Sequence, residues 1–252
     1  MSVRVRDLTF GYRDFSLHVP DLDFAGAQLT AIVGPNGAGK TTFLKCLSGI
    51  LPAAKGSVFI DGRDIALMSE RDLAKRLAYV PQEHASAFNY TVGEFVLMGR
   101  AAHIPLFSVP TEADLRFARE ALGYVGLGQY AERPVYQLSS GERRLALIAR
   151  ALTQMSDILI LDEPTTFLDP RHEAELLELA KKLARERKKT ILLTLHNLNT
   201  AVRYGDALVV MKQGRVVASG RPDDVLTESL LENVYDIKME IIRQSGRTFI
   251  VA

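Results

Sequence analysis

The chain has 252 residues and a mass of 27.9 kDa, with 31 Lys and Arg against 30 Asp and Glu, so its formal net charge is +1. That balance supplies no overall basic field of the kind that non-specific nucleic-acid binding relies on, and nucleic acid is not expected as a partner. Hydrophobic residues make up 47%, yet the longest apolar runs, Ile158 to Leu161 and Ala207 to Met211, fall far short of the roughly 18 to 20 residues that cross a bilayer.

The amino terminus MSVRVRDLTF lacks the apolar stretch of a secretory signal, and the single cysteine, Cys46, can form no internal disulfide or thiolate cluster. Both features point to the cytoplasm. Val3 to Phe10 alternates apolar and polar residues, and Leu29 to Val33 is a compact, mostly apolar run ending at Gly34 and Pro35, the pattern of a buried strand entering a tight loop. A helix follows, with Phe43, Cys46, Leu47 and Ile50 on one apolar face; Cys46 reads as a small buried hydrophobe. Ser57 to Ile60, the turn at Asp61 and Gly62, and Leu77 to Val80 continue the strand texture.

From Thr91 to Thr153 the periodicity becomes helical, with a Pro-containing break at 104–110, which predicts an inserted helical subdomain. Leu145, Ile148, Ala149 and Leu152 share a helix face just after Ser139 and Ser140, either of which can cap it. Ile158 to Leu161 and Ile191 to Leu195 are near-continuous apolar strands flanking a helix that carries Leu176, Leu179, Ala180 and Leu183 on one face. This βαβ rhythm implies a parallel sheet. The basic stretch Lys181 to Lys189 interleaves with that face and reads as a solvated helix surface. Ala207 to Met211 and Val216 to Ser219 form a predicted hairpin, followed by a helix and two short strands around Ser245 and Gly246.

Gly34-Pro35-Asn36-Gly37-Ala38-Gly39-Lys40-Thr41 fits G-x-x-x-x-G-K-[ST] between a strand and a helix, the setting that a phosphate-binding P-loop requires. Its glycines let backbone N–H groups and the helix amino end face negative oxygens. Lys40 reaches β- and γ-phosphates and Thr41 offers a hydroxyl to Mg²⁺. The inferred ligand is a nucleoside triphosphate with magnesium. Asp162 and Glu163 end the strand Ile158 to Leu161. Alone, such a pair is an ordinary strand end; beside a P-loop, Asp162 suits Mg²⁺ and Glu163 suits polarisation of the attacking water.

These residues resemble the nucleotide-binding subunits of ATP-binding cassette transporters over nearly the whole chain. Leu138-Ser139-Ser140-Gly141-Glu142 is similar to the family's LSGGQ signature, with Ser140 in place of the first glycine and Glu142 in place of the glutamine. The resemblance implies an α/β P-loop NTPase core with a mostly parallel sheet and amino-terminal antiparallel strands, spanning 1–88 and 158–252, and an all-helical subdomain at 89–157. It implies nucleotide contacts at Tyr12, Gly34, Pro35, Asn36, Gly37, Ala38, Gly39, Lys40, Thr41, Thr42, Gln82, Ser139, Gly141, Asp162 and Asp169, and Mg²⁺ contacts at Thr41, Gln82 and Asp162. Glu163, His196 and Lys40 take the catalytic roles, His196 as the switch histidine at the γ-phosphate. Tyr12 resembles the adenine-stacking aromatic and Asp169 the D-loop aspartate. His18, His84, His103 and His172 have no motif setting.

The resemblance further implies ATP and Mg²⁺ as cofactors and two copies facing head to tail, each ATP held by Lys40 of one chain and by Ser139 with Gly141 of the other. Partners are transmembrane permease subunits and, indirectly, an extracytoplasmic solute-binding protein, which places the chain peripherally on the cytoplasmic face of the cell membrane. Tyr90 to Arg100 with Ala101-Ala102-His103, and Leu138 to Arg144 followed by Ile148 to Leu152, resemble importers of iron-siderophores, haem and cobalamin. The alternative is a soluble cassette ATPase acting in assembly, such as iron-sulfur cluster biogenesis.

Overall fold

The computed structural model describes residues 1–12, 14–82, 89–105, 107–166, 168–244 and 247–252. Of the positions singled out above, His84, Ser245, Gly246, one residue of the 104–110 break and part of the expected 1–88 range lie outside the described residues.

Strands β1 (Val3–Tyr12) and β2 (Phe15–Phe24) alternate buried and exposed residues, the period of two expected of a sheet covered on one face. β3 (Leu29–Val33) is buried at every position. Helix α1 (Lys40–Leu47) buries Phe43, Leu44, Cys46 and Leu47. Ile50 was expected on the same face, but Gly49, at φ 71°, lies just past the helix end and Ile50 is exposed beyond it. β4 (Val58–Ile60) and β5 (Arg63–Asp64) flank the predicted turn, α2 (Glu70–Ala74) is capped by Ser69, and β6 (Leu77–Val80) follows.

Next come α3 (Val92–Leu97), α4 (Glu112–Tyr124) and α5 (Ser140–Thr153). Each opens with a capping box, Thr91 with Glu94, Thr111 with Asp114 and Ser139 with Glu142, in which two otherwise unpaired donors of the first turn are satisfied reciprocally. The chain then forms β7 (Ile158–Leu161), α6 (Pro170–Glu186), β8 (Thr190–Thr194), α7 (Leu198–Tyr204), β9 (Ala207–Lys212) and β10 (Arg215–Gly220). It closes with α8 (Pro222–Val225), α9 (Glu228–Tyr235), β11 (Glu240–Gln244) and β12 (Arg247–Val251). Leu176, Leu177, Ala180, Leu183 and Ala184 form the buried stripe of α6; Leu179, expected within it, is only half-buried at its margin, and most of the helix's basic residues are solvated as expected.

Residues 1–68 with 180–252 form one compact unit and residues 69–179 another, the division falling within α6. In the first unit the strand order is β5-β4-β1-β2-β10-β9-β3-β8. β3 pairs in parallel with both β8 and β9, while β1 pairs antiparallel with β2 and β4, matching the expected division between parallel core and amino-terminal antiparallel strands. β9 and β10 form the predicted hairpin, and β11 with β12 a second one that Asn199 of α7 holds by two hydrogen bonds to the Ile250 backbone, 2.9 and 2.7 Å.

In the second unit β6 and β7 run in parallel, Leu77 level with Ile158 and Val80 with Leu161, so both strands deliver their next residues to the same edge. Helices α3, α4 and α5 pack on one another. The string around Gly99 and Arg100 builds this packing: a Cβ on Gly99 would lie 2.1 Å from the Arg150 carbonyl oxygen of α5, a distance no side chain tolerates. Arg100 is buried, with Nε 2.8 Å from Asp114 Oδ1 and a terminal nitrogen 3.1 Å from the Thr153 carbonyl. Its guanidinium also covers the Phe117 ring at 4.7 Å, so this charge is fully engaged within the bundle.

The Asp114 carboxyl is held down to about 2, from an ordinary 3.8, by the Thr111 hydroxyl first, then by Arg100 and the Thr111 N–H. Because the folded value lies below the unfolded one, this stabilisation is complete above about pH 4 and is lost as the pH falls toward about 2. Asp114→Asn should therefore lower stability at neutral pH and flatten that part of the acid limb. Acid unfolding followed by circular dichroism checks this, and superimposable limbs for the two proteins would refute it.

Candidate active site

In the first unit β3 leads the chain directly into Gly34. This residue has φ 153°, and a Cβ on it would fall 2.2 Å from the Met211 carbonyl oxygen of β9. The loop can hug the neighbouring strand only because no side chain intervenes. Pro35, Asn36 and Gly37 form the outer part of the loop, and Ala38 is buried, its carbonyl accepting the Gly214 N–H at 2.9 Å. Lys40, 5% exposed, opens α1 and turns Nζ back onto the carbonyls of Gly34 at 2.8 Å and Pro35 at 3.2 Å. Gly39 is the N-cap and gives no side-chain cap. With no side chain at the N-cap, the amino end of α1, whose first turn carries Thr41 and Thr42, is left open to the loop, as a phosphate-binding helix end requires.

Two further predicted residues lie around this loop. β8 is level with β3, Thr194 opposite Ile32, and the Leu195 N–H donates to the Ile32 carbonyl at 3.1 Å; His196 therefore leaves its strand beside the place where Gly34 leaves β3, and it is exposed. Tyr12, also exposed, pairs across the β1–β2 turn with Phe15. The Phe15 ring lies against the loop, where a Cβ on Gly39 would be 2.6 Å from its Cζ.

In the second unit the exits of β6 and β7 bring Gln82, Asp162 and Glu163 together. The Asp162 N–H donates to the Val80 carbonyl at 2.9 Å, and the buried Asp162 carboxylate accepts from the Tyr79 hydroxyl at 3.0 Å. Burial, and then the Asp162 charge, push the Tyr79 phenol well above its usual range, keeping it a neutral donor. Glu163, 8% exposed, has φ 46°, a conformation that non-glycine residues adopt rarely and at some cost. Its carboxylate accepts from the Gln82 amide and from the Thr166 hydroxyl, the latter at 3.4 Å.

Also in this unit, Ser139 is the N-cap of α5: its hydroxyl accepts the Glu142 N–H at 3.2 Å while the Glu142 carboxylate accepts the Ser139 N–H at 2.8 Å. That backbone N–H, foremost, holds the Glu142 carboxyl below the usual range. Gly141 is buried, with room for a Cβ at 3.6 Å from Leu168 and 3.8 Å from His172. Asp169 accepts the N–H groups of Arg171 and His172 at 3.0 Å each and pairs with the His172 ring at 2.5 Å.

A polyphosphate fits the first-unit loop on the evidence of Lys40, whose ammonium is already held inside it. The oxygens expected to suit Mg²⁺, the Thr41 hydroxyl in the first unit and, separately, the Gln82 amide oxygen and the Asp162 carboxylate in the second, are each of the hard class that this ion selects when most of its shell comes from phosphate and water. Among the described residues no cluster of three or more His, Cys, Asp or Glu could hold a metal by itself.

The family described as ABC transporter matches residues 17–166. The iron(3+)-hydroxamate import ATP-binding protein FhuC of Bacillus subtilis is 38% identical over 96% of this chain and 90% of its own length. The chain belongs to the ABC transporter family. As a family member it is an ATP-binding, ATP-hydrolysing transporter subunit. An inward-facing metal-chelate type ABC transporter superposes with a TM-score of 0.86 at 29% identity, covering 99% of this chain and 96% of that one. The dimeric structure of a bacterial ABC transporter cassette gives 0.76 at 25% identity over 87% and 98%. Among the described residues no helix of this ABC subunit is long and apolar enough to cross a membrane.

Sequence reasoning missed several residues that touch the predicted ones within each unit of this ABC subunit. Phe15 carries no motif and touches the loop only through the β1–β2 turn. Tyr79 looks like a strand filler, and only its pairing next to β7 reveals the bond to Asp162. His172 lacks a motif setting, yet the aspartate at i−3 on the same helix turn was a readable signal. For Tyr79 the test is direct: Tyr79→Phe should lower the unfolding free energy by about 1.5 kcal/mol, the low end for a hydrogen bond to a charged group. Urea titration of both proteins checks this, and an unchanged midpoint would remove Tyr79 from the site.

Proposed function

We propose that this ABC subunit hydrolyses ATP to drive the import of a metal chelate, such as an iron-siderophore, haem or cobalamin, through a separate permease. The observation that carries the reading is the loop after β3, with Lys40 Nζ turned onto the Gly34 and Pro35 carbonyls and His196 following the adjacent parallel strand. The likeness to an iron(3+)-hydroxamate import subunit and to a metal-chelate type transporter supports the substrate class. In this reading residues 1–88 and 158–252 form the catalytic core and 89–157 the helical subdomain.

Residues 34–42 hold the phosphate chain, with Lys40 on its β- and γ-oxygens and Tyr12 against the adenine. Thr41, Asp162 and Gln82 would hold Mg²⁺, which neutralises charge on the phosphate oxygens. Glu163 polarises the attacking water and His196 contacts the γ-phosphate. Ser139 and Gly141 act on the nucleotide of a second copy, and Asp169 communicates between the two, so that ATP binding closes the pair and hydrolysis reopens it. The dimer docks on permease subunits at the cytoplasmic face of the membrane and receives substrate indirectly from an extracytoplasmic solute-binding protein. The dimeric form of a related cassette supports the pairing.

Replacing Glu163 with Gln should leave ATP binding intact, lower turnover by at least about 10²-fold as loss of a catalytic base does, and stabilise the ATP-bound dimer in size-exclusion chromatography. Near-normal hydrolysis would remove Glu163 from its role. For the import reading, affinity-tagged chain should co-purify with a polytopic membrane protein whose reconstituted complex shows ATPase stimulated by a chelate-loaded binding protein. Exclusive retention of soluble partners would instead favour an assembly role, such as iron-sulfur cluster biogenesis.

A further inference from the structure

Arg144 lies on α5 one turn past the Ser139 cap, at a place where the apolar periodicity of the helix gives no reason for a charge, and it is 7% exposed. One terminal nitrogen donates to the Pro81 carbonyl at 2.8 Å; the other donates to the Gln82 carbonyl at 2.6 Å and to the Glu163 carbonyl at 3.4 Å. A single rigid fork therefore gathers the backbone at the exits of both β6 and β7. These are the two residues whose side chains bond each other, Gln82 to Glu163, and the second holds a left-handed backbone at φ 46°. Besides Arg144, the Glu163 carbonyl accepts the Thr166 N–H at 3.3 Å. Burial disfavours the Arg144 charge, while the carboxylates of Asp162 and Glu163 favour it, so the cation is tied to the same cluster electrostatically as well as by hydrogen bonds.

We infer that Arg144 is a positioning residue: it fixes the backbone that aims Gln82 and Glu163, and it makes the helix carrying Ser139 and Gly141 the mechanical support of the hydrolytic carboxylate. The contacts go to three carbonyl oxygens in two loops, which a planar guanidinium can reach together and a single ammonium cannot. Lysine keeps the charge and loses the fork. Glutamine loses the charge and keeps two donors on one nitrogen.

This inference rests on the assignment of Glu163 as the hydrolytic carboxylate, so the experiment includes that assignment as its own control. Wild type, Glu163→Gln, Arg144→Lys and the double variant are compared in the full chain for ATP affinity, kcat and thermal midpoint. Arg144→Lys should keep the ATP dissociation constant within about twofold and lose about tenfold in kcat. In the Glu163→Gln background the same change should cost almost nothing further, since a residue acting through Glu163 has nothing left to position there. Wild-type kcat in Arg144→Lys, a parallel loss of affinity, or the same tenfold loss in both backgrounds would overturn the proposal. If Arg144→Lys fails to fold cooperatively, Arg144→Gln is read by the same criteria, and failure of both to fold would make the residue purely structural. If Glu163→Gln retains wild-type turnover, it is the hydrolytic assignment that falls.

Discussion

The double pairing of β3 decides where the loop after it and the segment at His196 leave the sheet of the first unit. β3 is hydrogen-bonded on both edges, to β8 and β9 in parallel, and buried at all its positions. A strand confined in this way carries no charged side chain, its one polar residue being the buried Thr30, so charged and exposed groups emerge where it ends. The loop from Gly34 and the segment that begins at His196 therefore leave the sheet at one edge. The Gly34 backbone must also pass so close to Met211 that any side chain would collide with it. In the second unit β7, paired in parallel with β6 and buried at all four of its positions, likewise ends in Asp162 and Glu163.

Much of this was legible because the signals are short-range. Four of the first-unit strands, the hairpin, the P-loop and the cap of α5 each depend on a few adjacent residues whose chemistry admits one local geometry. What stayed hidden depends on contacts between segments distant in the chain. Helical periodicity counts apolar positions and has no means of placing a buried Arg144, whose partners lie some 60 residues earlier and 19 later. Tyr79 and Phe15 gain meaning only from neighbouring strands. Ile50 shows the opposite failure: the pattern continued past the point where Gly49 stops the helix.

The residues from Tyr90 to His103 show how a family resemblance and a physical reason can occupy the same letters. Gly99 and Arg100 are required by the approach of two helices and by a buried ion pair with Asp114. His103 bonds the Gln154 carbonyl at 2.9 Å, fastening the segment after α3 to the end of α5. The string is thus a packing code for the helical bundle. The signature departure at Glu142 has a similarly local meaning, since its carboxylate completes the α5 capping box through an oxygen that a glutamine would also supply.

Cys46 has a practical consequence. It is the chain's only cysteine, sealed inside α1, where burial pushes its thiol up to about 11. At neutral pH almost none of it is thiolate, the form that reacts with maleimides and other thiol reagents. A cysteine introduced at an exposed position would therefore be the sole labelling site, and distance probes could follow the nucleotide cycle in a protein that keeps its native Cys46.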